Sequence, residues 1–371
     1  TPTFGAPTSR VGDQGMSGKP LAILSAGGTG GHVYPALAIA KVLRARGYRL
    51  LWIGTRQGIE NRLVPEAEIN LHHLPMRGFR GKSPWARMQA LVLLVVSFVL
   101  ALGIMLRRRP TFVIGLGGYA SLPTSFAAWF AGRTLALQEQ NAIPGSANRV
   151  LARFAKLIGT GFPDVLATYS QAKHLGNPVR RDLTELNMKH PWSRPEDRPL
   201  RILVLGGSLG AKPLNDAVPT IAVALGKDFL WWHQTGDSHF ANVQAAVEKI
   251  PGFRVSAFID DMAAAYAWAD LVLCRAGALT VAELAVCGRP SILVPLPHAI
   301  DDHQTANARY LERAGAARLL PQDRLQDELP ALLQQLRSSV ALLSAMAEAA
   351  ESCGRPHADE SFVDELEALA A

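Results

Sequence analysis

The chain has 371 residues, of which 49% are hydrophobic and 19% charged, a composition that excludes wholesale disorder and allows two packed domains. Lys and Arg number 38 against 31 acidic residues, a formal charge of +7 that favours anionic partners such as nucleic acid, an acidic membrane or phosphorylated ligands without choosing among them. The three cysteines, Cys274, Cys287 and Cys353, form no Cys-x-x-Cys pair, so neither a disulfide framework nor a structural zinc site is expected and a reducing compartment fits.

Residues 1–19 are rich in Gly, Pro, Ser and Thr and lack the apolar run of a secretory signal, so they read as a loose leader. An apolar strand at 21–25 then runs into SAGGTGGHVYPALAIAKVL, glycines followed by a helical pattern over 35–46. Further short apolar strands read at 50–54, 70–74, 111–115, 134–138 and 156–160, with helical patterns between several of them. That alternation predicts an α/β chain with a doubly wound parallel sheet.

One segment stands apart. Residues 90–106, ALVLLVVSFVLALGIML, carry no polar face and lie near the lower length limit for a membrane span, roughly 17–25 residues. Basic residues flank the run: Arg77, Arg80, Lys82 and Arg87 before it, Arg107, Arg108 and Arg109 after it. The strands at 70–74 and 111–115 should share one sheet, and a single crossing would put them on opposite sides of a bilayer. The expectation is therefore a helix packed on the sheet, its outer part dipping into an anionic membrane surface through a patch including Arg80, Lys82, Trp85 and Arg87. An ordinary buried helix fits the same periodicity.

The pattern restarts after GNPVR. RILVLGGSLGAKPLNDA, FLWWHQTG, FRVSAFID, DLVLCRAGALTVAELAVCG and PSILVPLP form a second strand-loop-helix series. The boundary falls near residues 176–178. It divides the chain into a Rossmann-like domain over 20–176 and another over 177–371, facing each other across a cleft, with the last helix belonging to the second domain or packing back on the first.

Four glycine-bearing loops follow strands: 25–32, GLGGYAS at 115–121, GGSLGA at 206–211 and RAGALTVAE at 275–283. A strand entering a helix through glycines presents backbone N–H groups at the positive end of the helix dipole, where phosphate or a developing anion is stabilised. Ligands of open α/β sheets bind at that edge. The dinucleotide fingerprint fails at the first loop because Val33 occupies the third glycine position, although Arg56 after the second strand leaves a weak case for NADP. The P-loop fails at Gly81-Lys82-Ser83, where Met76 stands at the first glycine position. Thr280-Val281-Ala282-Glu283 reads first as a capping box, with a diphosphate on the amides of 277–279 and Glu283 on ribose hydroxyls as the functional alternative. His32, beside the expected cleft, suits a general base for a sugar hydroxyl. No Asp-x-Asp and no metal-spaced cluster occurs, so a nucleotide-sugar transferase here would stabilise its leaving group with helix dipoles and N–H groups, without metal or organic cofactor.

GGTGGH, GLGGY, EQN at 139–141, GNPVR at 176–180, GGSLGA, FIDDMAAAYAWADLVLCRAGALTVAEL at 258–284 and HQTANA at 303–308 occur in order. Together they resemble the undecaprenyldiphospho-muramoylpentapeptide beta-N-acetylglucosaminyltransferase family of bacterial peptidoglycan synthesis, from Leu21 to the C-terminal helices. The resemblance implies a GT-B fold and an inverting transfer of GlcNAc from UDP-GlcNAc to the muramoyl 4-hydroxyl of lipid I, giving lipid II. It puts Arg180 and Ser208 near the diphosphate, Ile259 against uracil, and Ala278, Leu279, Thr280, Val281 and Ala282 at the diphosphate-binding helix start. Glu283 falls on the ribose, and His303 and Gln304 by the GlcNAc hydroxyls. Thr29, Gly30, Gly31 and Asn141 complete the donor contacts from the N-terminal side. His32, Tyr119 and Glu139 face the lipid-linked acceptor, with His32 the candidate base and Glu139 and Asn141 the other catalytic candidates.

Where the family often has His, this chain has Gln138, which excludes a base there. The implied setting is peripheral, on the cytoplasmic face of the inner membrane, with cell-wall synthesis and division proteins as further partners and no nucleic acid. A UDP-GlcNAc 2-epimerase on the same fold and a non-catalytic membrane-anchored nucleotide-sugar sensor are the competing expectations.

Overall fold

The computed structural model describes residues 19–76, 84–297 and 299–370. The expected leader, apart from Lys19, and the membrane-patch residues Arg80 and Lys82 lie outside these residues, as does the side chain of Arg87.

Two all-parallel sheets carry the chain. The first contains β1 (Leu21–Ser25), β2 (Arg49–Gly54), β3 (Asn70–His73), β4 (Phe112–Gly115), β5 (Thr134–Glu139), β6 (Leu157–Thr160) and β7 (Ala172–His174), in the order β3-β2-β1-β4-β5-β6-β7. The second contains β8 (Leu200–Leu205), β9 (Phe229–Gln234), β10 (Phe253–Ser256), β11 (Leu271–Cys274), β12 (Ser291–Leu293) and β13 (Ala317–Leu319), in the order β10-β9-β8-β11-β12-β13. Each sheet reverses its strand order beside its first strand, between β1 and β4 and between β8 and β11. A parallel strand covered on both faces must be apolar throughout, and β1, LAILS, is fully buried. Ala22 and Leu24 pack on one side of the first sheet, and Leu21 and Ile23 on the other.

The helix after β1 spans Gly30–Ala45, so it begins five residues before the predicted 35–46. Pro35 lies inside it and forgoes the bond to the carbonyl four residues back, which is tolerable near a helix start. The consequence is functional: Gly30, Gly31 and His32 form the first helical turn rather than the end of a loop. Strand β7 has no counterpart among the predicted strands, since three residues at a sheet edge, with none fully buried, leave little apolar signal.

The apolar segment forms a helix over Pro84–Arg108. Ala90, Ser97, Ala101 and Met105 are buried, which places a single stripe on the sheet at roughly helical spacing. Ser97 donates from its hydroxyl to the Pro75 carbonyl at 3.3 Å. Strands β3 and β4, on either side of this helix in sequence, both belong to the first sheet. The helix therefore crosses over the sheet as one layer of the domain.

The C-terminal helix Ala358–Ala368 packs on the first sheet, where Phe362, Val363 and Leu366 join the cluster of Ala22, Leu24 and Phe112. Arg46 pairs with Asp364 at 2.6 Å, and Lys173 pairs with Glu365. Gly159 of β6 makes the room, since a Cβ there would come within 2.7 Å of the Phe362 ring. Phe362→Ala should cost about 3–5 kcal/mol through the cavity it leaves. Urea unfolding followed by tryptophan fluorescence would measure this, and a loss below about 0.5 kcal/mol, the scale of a surface substitution, would show that this helix does not hold the chain together.

Candidate active site at the junction of the two sheets

The first loop leaves β1 through Gly27 and Gly28, the latter at φ +96°, and Thr29 starts the helix without a side-chain cap. A buried carboxylate that sequence reasoning passed over shapes this loop. Glu60 accepts from the Gly28 N–H at 3.0 Å, the Thr55 N–H at 3.0 Å and the Thr55 hydroxyl at 2.8 Å. Gly27 packs so close that a Cβ would lie 2.6 Å from a Glu60 oxygen. The loop after β4 lies beside it. Gly117 (φ +88°) and Gly118 (φ +72°) press against the His32 ring, where a side chain at either would put its Cβ 3.4–3.5 Å from ring carbons. Tyr119 is half-buried in the first turn of the Gly118–Phe130 helix, packed on the core beneath.

The end of β5 and the residue after it, Gln138 to Gln140, are buried. Gln138 donates to the Gly176 carbonyl at 3.0 Å. Glu139 is only 2% exposed. One of its oxygens accepts from the Asn141 N–H at 3.0 Å, and the other from the Gly145 N–H and Asn148 Nδ2, each at 2.9 Å. Its carboxylate is thus occupied in folding the 139–148 turn. Gln140 meets His32, Oε1 to Nδ1, at 3.0 Å.

In the second half, Gly207 and Gly210 take positive φ after β8 and leave Ser208 and Leu209 exposed at the tip. Ile259 is buried in the core with Leu205 and Val272, so its main chain is what it offers a ligand. Asp261 caps the Met262–Trp268 helix by accepting from the Ala264 N–H at 2.9 Å. The helix after β11 spans Ala278–Val286 with Gly277 at its N-cap and no side-chain cap. This overturns the capping box: Thr280 already lies in the first turn, and Glu283 instead accepts from the Tyr266 hydroxyl at 2.9 Å. Burial raises the Glu283 carboxyl above the usual carboxylate range, while the Tyr266 hydrogen bond and nearby Arg180 pull it back. Ala278 and Val281 are buried, and Leu279, Thr280 and Ala282 are partly exposed.

Asp301 and Asp302 both adopt left-handed backbone, φ +54° and +52°, immediately before the His303–Arg313 helix. Such consecutive non-glycine residues are strained and persist where the surroundings hold them. Gln304 accepts from the Leu296 N–H at 3.0 Å, and His303 is partly exposed beside it. Helices starting at Gly30, Gly118, Lys212, Ala278 and His303 thus all enter without a side-chain cap. Their first amides are left to water or ligand.

Two asparagines sew the halves together. Asn307 is fully buried; it accepts from the Ala142 N–H at 2.8 Å and donates to Asn141 Oδ1 at 3.3 Å and the Ala276 carbonyl at 3.2 Å. Asn177 donates to the Gln140 carbonyl at 2.9 Å and reaches the Ala278 carbonyl at 3.5 Å. Arg149 and Asp301 add an ion pair at 3.0 Å. The structure therefore brings Thr29–His32, Glu139 and Asn141 to the same junction as Ala278–Glu283, His303 and Gln304. Asn307 stands inside HQTANA and Gln140 inside EQN, but only the three-dimensional pairing gives them a role. Among the described residues, no group of three or more His, Cys, Asp or Glu is arranged to hold a metal.

Away from this junction the Pro84–Arg108 helix turns Leu91, Val92, Val95 and Val99 outward, Val99 being 58% exposed. Trp85 lies exposed at its start, and Phe130 of the neighbouring helix is 67% exposed.

Two family models match the chain, the glycosyltransferase family 28 N-terminal domain over residues 22–160 and the C-terminal domain over 201–362. A UDP-N-acetylglucosamine–N-acetylmuramyl-(pentapeptide) pyrophosphoryl-undecaprenol N-acetylglucosamine transferase of Pseudomonas savastanoi pv. phaseolicola is 45% identical, over 92% of this chain and 96% of the relative. A protein of the same name from Alkalilimnicola ehrlichii is 46% identical, over 91% and 95%. The crystal structure of Acinetobacter baumannii MurG superposes with a TM-score of 0.80 at 35% identity, covering 94% of this chain and 99% of that one.

Glu60→Ala would leave the Gly28 and Thr55 amides without their acceptor, at about 1–3 kcal/mol for such buried donors. The expected result is a lower melting temperature together with reduced turnover, because the first helical turn loses its anchor. Unchanged melting and turnover would show that Glu60 does not shape the loop.

Proposed function

The chain belongs to glycosyltransferase family 28, and from that premise we infer that it transfers GlcNAc from UDP-GlcNAc to the 4-hydroxyl of the muramoyl sugar of undecaprenyl-diphospho-muramoylpentapeptide, lipid I, and so forms lipid II for peptidoglycan. It is an N-acetylglucosaminyltransferase with a GT-B fold. The observation that carries this reading is likeness along nearly the whole chain to relatives named for that transfer, at 45–46% identity.

The site residues follow as part of the proposal. The donor lies on the second sheet's edge, its diphosphate at the amides of Leu279 and Thr280 with Arg180 and Ser208 alongside, its uracil by the main chain at Ile259 and its ribose on Glu283. His303 and Gln304 reach the GlcNAc hydroxyls. Thr29, Gly30, Gly31 and Asn141 approach the donor from the first sheet. His32 takes the proton of the attacking muramoyl hydroxyl, which adds to the anomeric carbon from the face opposite the leaving UDP and inverts it. Glu139 holds the loop that carries Asn141, and Tyr119 faces the acceptor. Helix termini and Arg180 supply the positive charge that the departing diphosphate needs, so the reading requires no metal and no organic cofactor.

The acceptor is lipid-linked, and the exposed apolar face of the Pro84–Arg108 helix supports peripheral attachment to the cytoplasmic face of the inner membrane. Trp85, Arg80, Lys82 and Arg87 add the interfacial and anionic-lipid contacts, and proteins of cell-wall synthesis and division are the further partners. An epimerase would have no use for that face, and a sensor anchored by a span would not lay the same helix across its sheet.

Radiolabelled UDP-GlcNAc with a lipid I analogue should give labelled lipid product at the same rate with and without EDTA. Absence of product would undo the activity, and product lost only with EDTA would overturn the metal-free step. Glu283→Ala should weaken donor binding in calorimetry by roughly tenfold or more, the worth of a hydrogen bond involving a charged group, and equal affinity would remove Glu283 from the ribose. His32→Ala should lower kcat by about 10²–10⁴ with little change in donor affinity, and full turnover would remove it as base. Val95→Asp with Val99→Asp should abolish flotation on anionic liposomes, whereas undiminished flotation would move the membrane contact elsewhere.

A further inference from the structure

His32 has two ring nitrogens, and only one can accept a substrate proton while the other is bonded. Which one is settled by a chain of donors and acceptors that starts outside the ring. The Gln140 amide nitrogen donates to the Gln138 carbonyl at 3.1 Å. A carbonyl only accepts, so the NH₂ end of Gln140 is committed to that side. Its Oε1 is then the atom facing His32 Nδ1 at 3.0 Å, and it too only accepts. His32 Nδ1 must therefore carry the hydrogen in the neutral ring, which leaves the lone pair on Nε2.

Gln140 is 1% exposed and cannot turn over freely. Its own carbonyl accepts from Asn177, which also reaches the Ala278 carbonyl in the first turn of the Ala278–Val286 helix. Gly117 and Gly118 close the other side of the ring.

We propose that Gln140 is a positioning residue that fixes His32 in the Nδ1–H tautomer, so that Nε2 is the atom that receives the proton of the attacking hydroxyl, and that Asn177 ties this arrangement to the donor-side helix. The proposal rests on the glycosyl-transfer reading for its purpose and on hydrogen-bond polarity for its content. A histidine left to itself favours the opposite Nε2–H form, so the default and the proposal differ in a measurable way.

The test is ¹⁵N NMR of the histidine-labelled enzyme at pH ~8, above the ordinary histidine range, with His32→Ala identifying the His32 signals. The expected spectrum has a protonated Nδ1 and an unprotonated Nε2. Gln140→Met keeps the approximate shape and removes the acceptor. It should shift His32 toward Nε2–H and lower kcat by about 10- to 100-fold, part of what a general base contributes, while UDP affinity and the donor KM stay near wild type. An Nε2–H signal in the wild-type enzyme would overturn the proposal, even if Gln140→Met failed to fold. So would an unaltered tautomer and kcat in a Gln140→Met enzyme that melts and binds UDP like the parent. Full turnover in His32→Ala beside an Nδ1–H spectrum would instead overturn the base reading, and with it the purpose assigned to Gln140, so the two failures are told apart.

Discussion

The polar residues at the end of β5 and in the turn that follows exchange hydrogen bonds with both halves of the chain, and the rest of the site depends on how that is done. Gln138, Glu139 and Gln140 are buried where the two sheets meet, and Asn141 and Ala142 are partly exposed. An unsatisfied polar group there would cost about 1–3 kcal/mol. Glu139 closes the turn from within, and Asn177 and Asn307 satisfy it from outside. Because Asn307 comes from a helix of the second half and Gln140 touches a helix of the first, these bonds also fix His32, the turn and the Ala278–Val286 helix relative to one another.

Much of this is legible in the sequence, and the boundary of legibility has a physical pattern. The buried parallel strands and glycine loops can be read because they depend on local properties, continuous apolar character and backbone freedom. The doubled Rossmann-like order follows from their repetition. What escapes is whatever depends on a partner distant in sequence. Glu60 sits in an ordinary-looking QGIENR and becomes structural only because the Gly28 amide arrives from a residue 32 positions away. Asn307 and Asn141 are separated by 166 positions. The capping box at Thr280 fails for a related reason: a local pattern competes with a tertiary partner, Tyr266, and loses. The first helix starts earlier than its pattern suggests because Gly-Gly and Pro35 are poor helix residues, yet Gly30 and Gly31 sit in its first turn and Pro35 just inside it, where the lost bond is tolerated.

The apolar helix illustrates a different limit. Its composition cannot distinguish a buried element from one touching lipid, since both demand apolar residues all round. Topology resolves half of the question at the sequence level, because neighbours in one parallel sheet cannot lie on opposite sides of a bilayer, and β3 and β4 do share the sheet. Packing shows which face of the helix is turned inward. The inward stripe comprises Ala90, Ser97, Ala101 and Met105, whose small residues let the helix lie close on the sheet. The bulky β-branched residues Val92, Val95 and Val99 point away.

The uncapped helix starts carry the same argument into catalysis. A side-chain cap at an exposed helix start contributes about 1 kcal/mol; the helices starting at Gly30, Gly118, Lys212, Ala278 and His303 forgo it, as do most of the described helices, with Met262–Trp268 and Val340–Cys353 the capped ones. A hydroxyl or carboxylate cap on those amides would compete with an anionic ligand for the same donors. A nucleotide diphosphate gains negative charge as it departs, and fixed amide dipoles meet that charge without having to reorient as it develops. Glu283 lies a turn and a half into the Ala278–Val286 helix, where the Tyr266 hydroxyl donates to one of its oxygens.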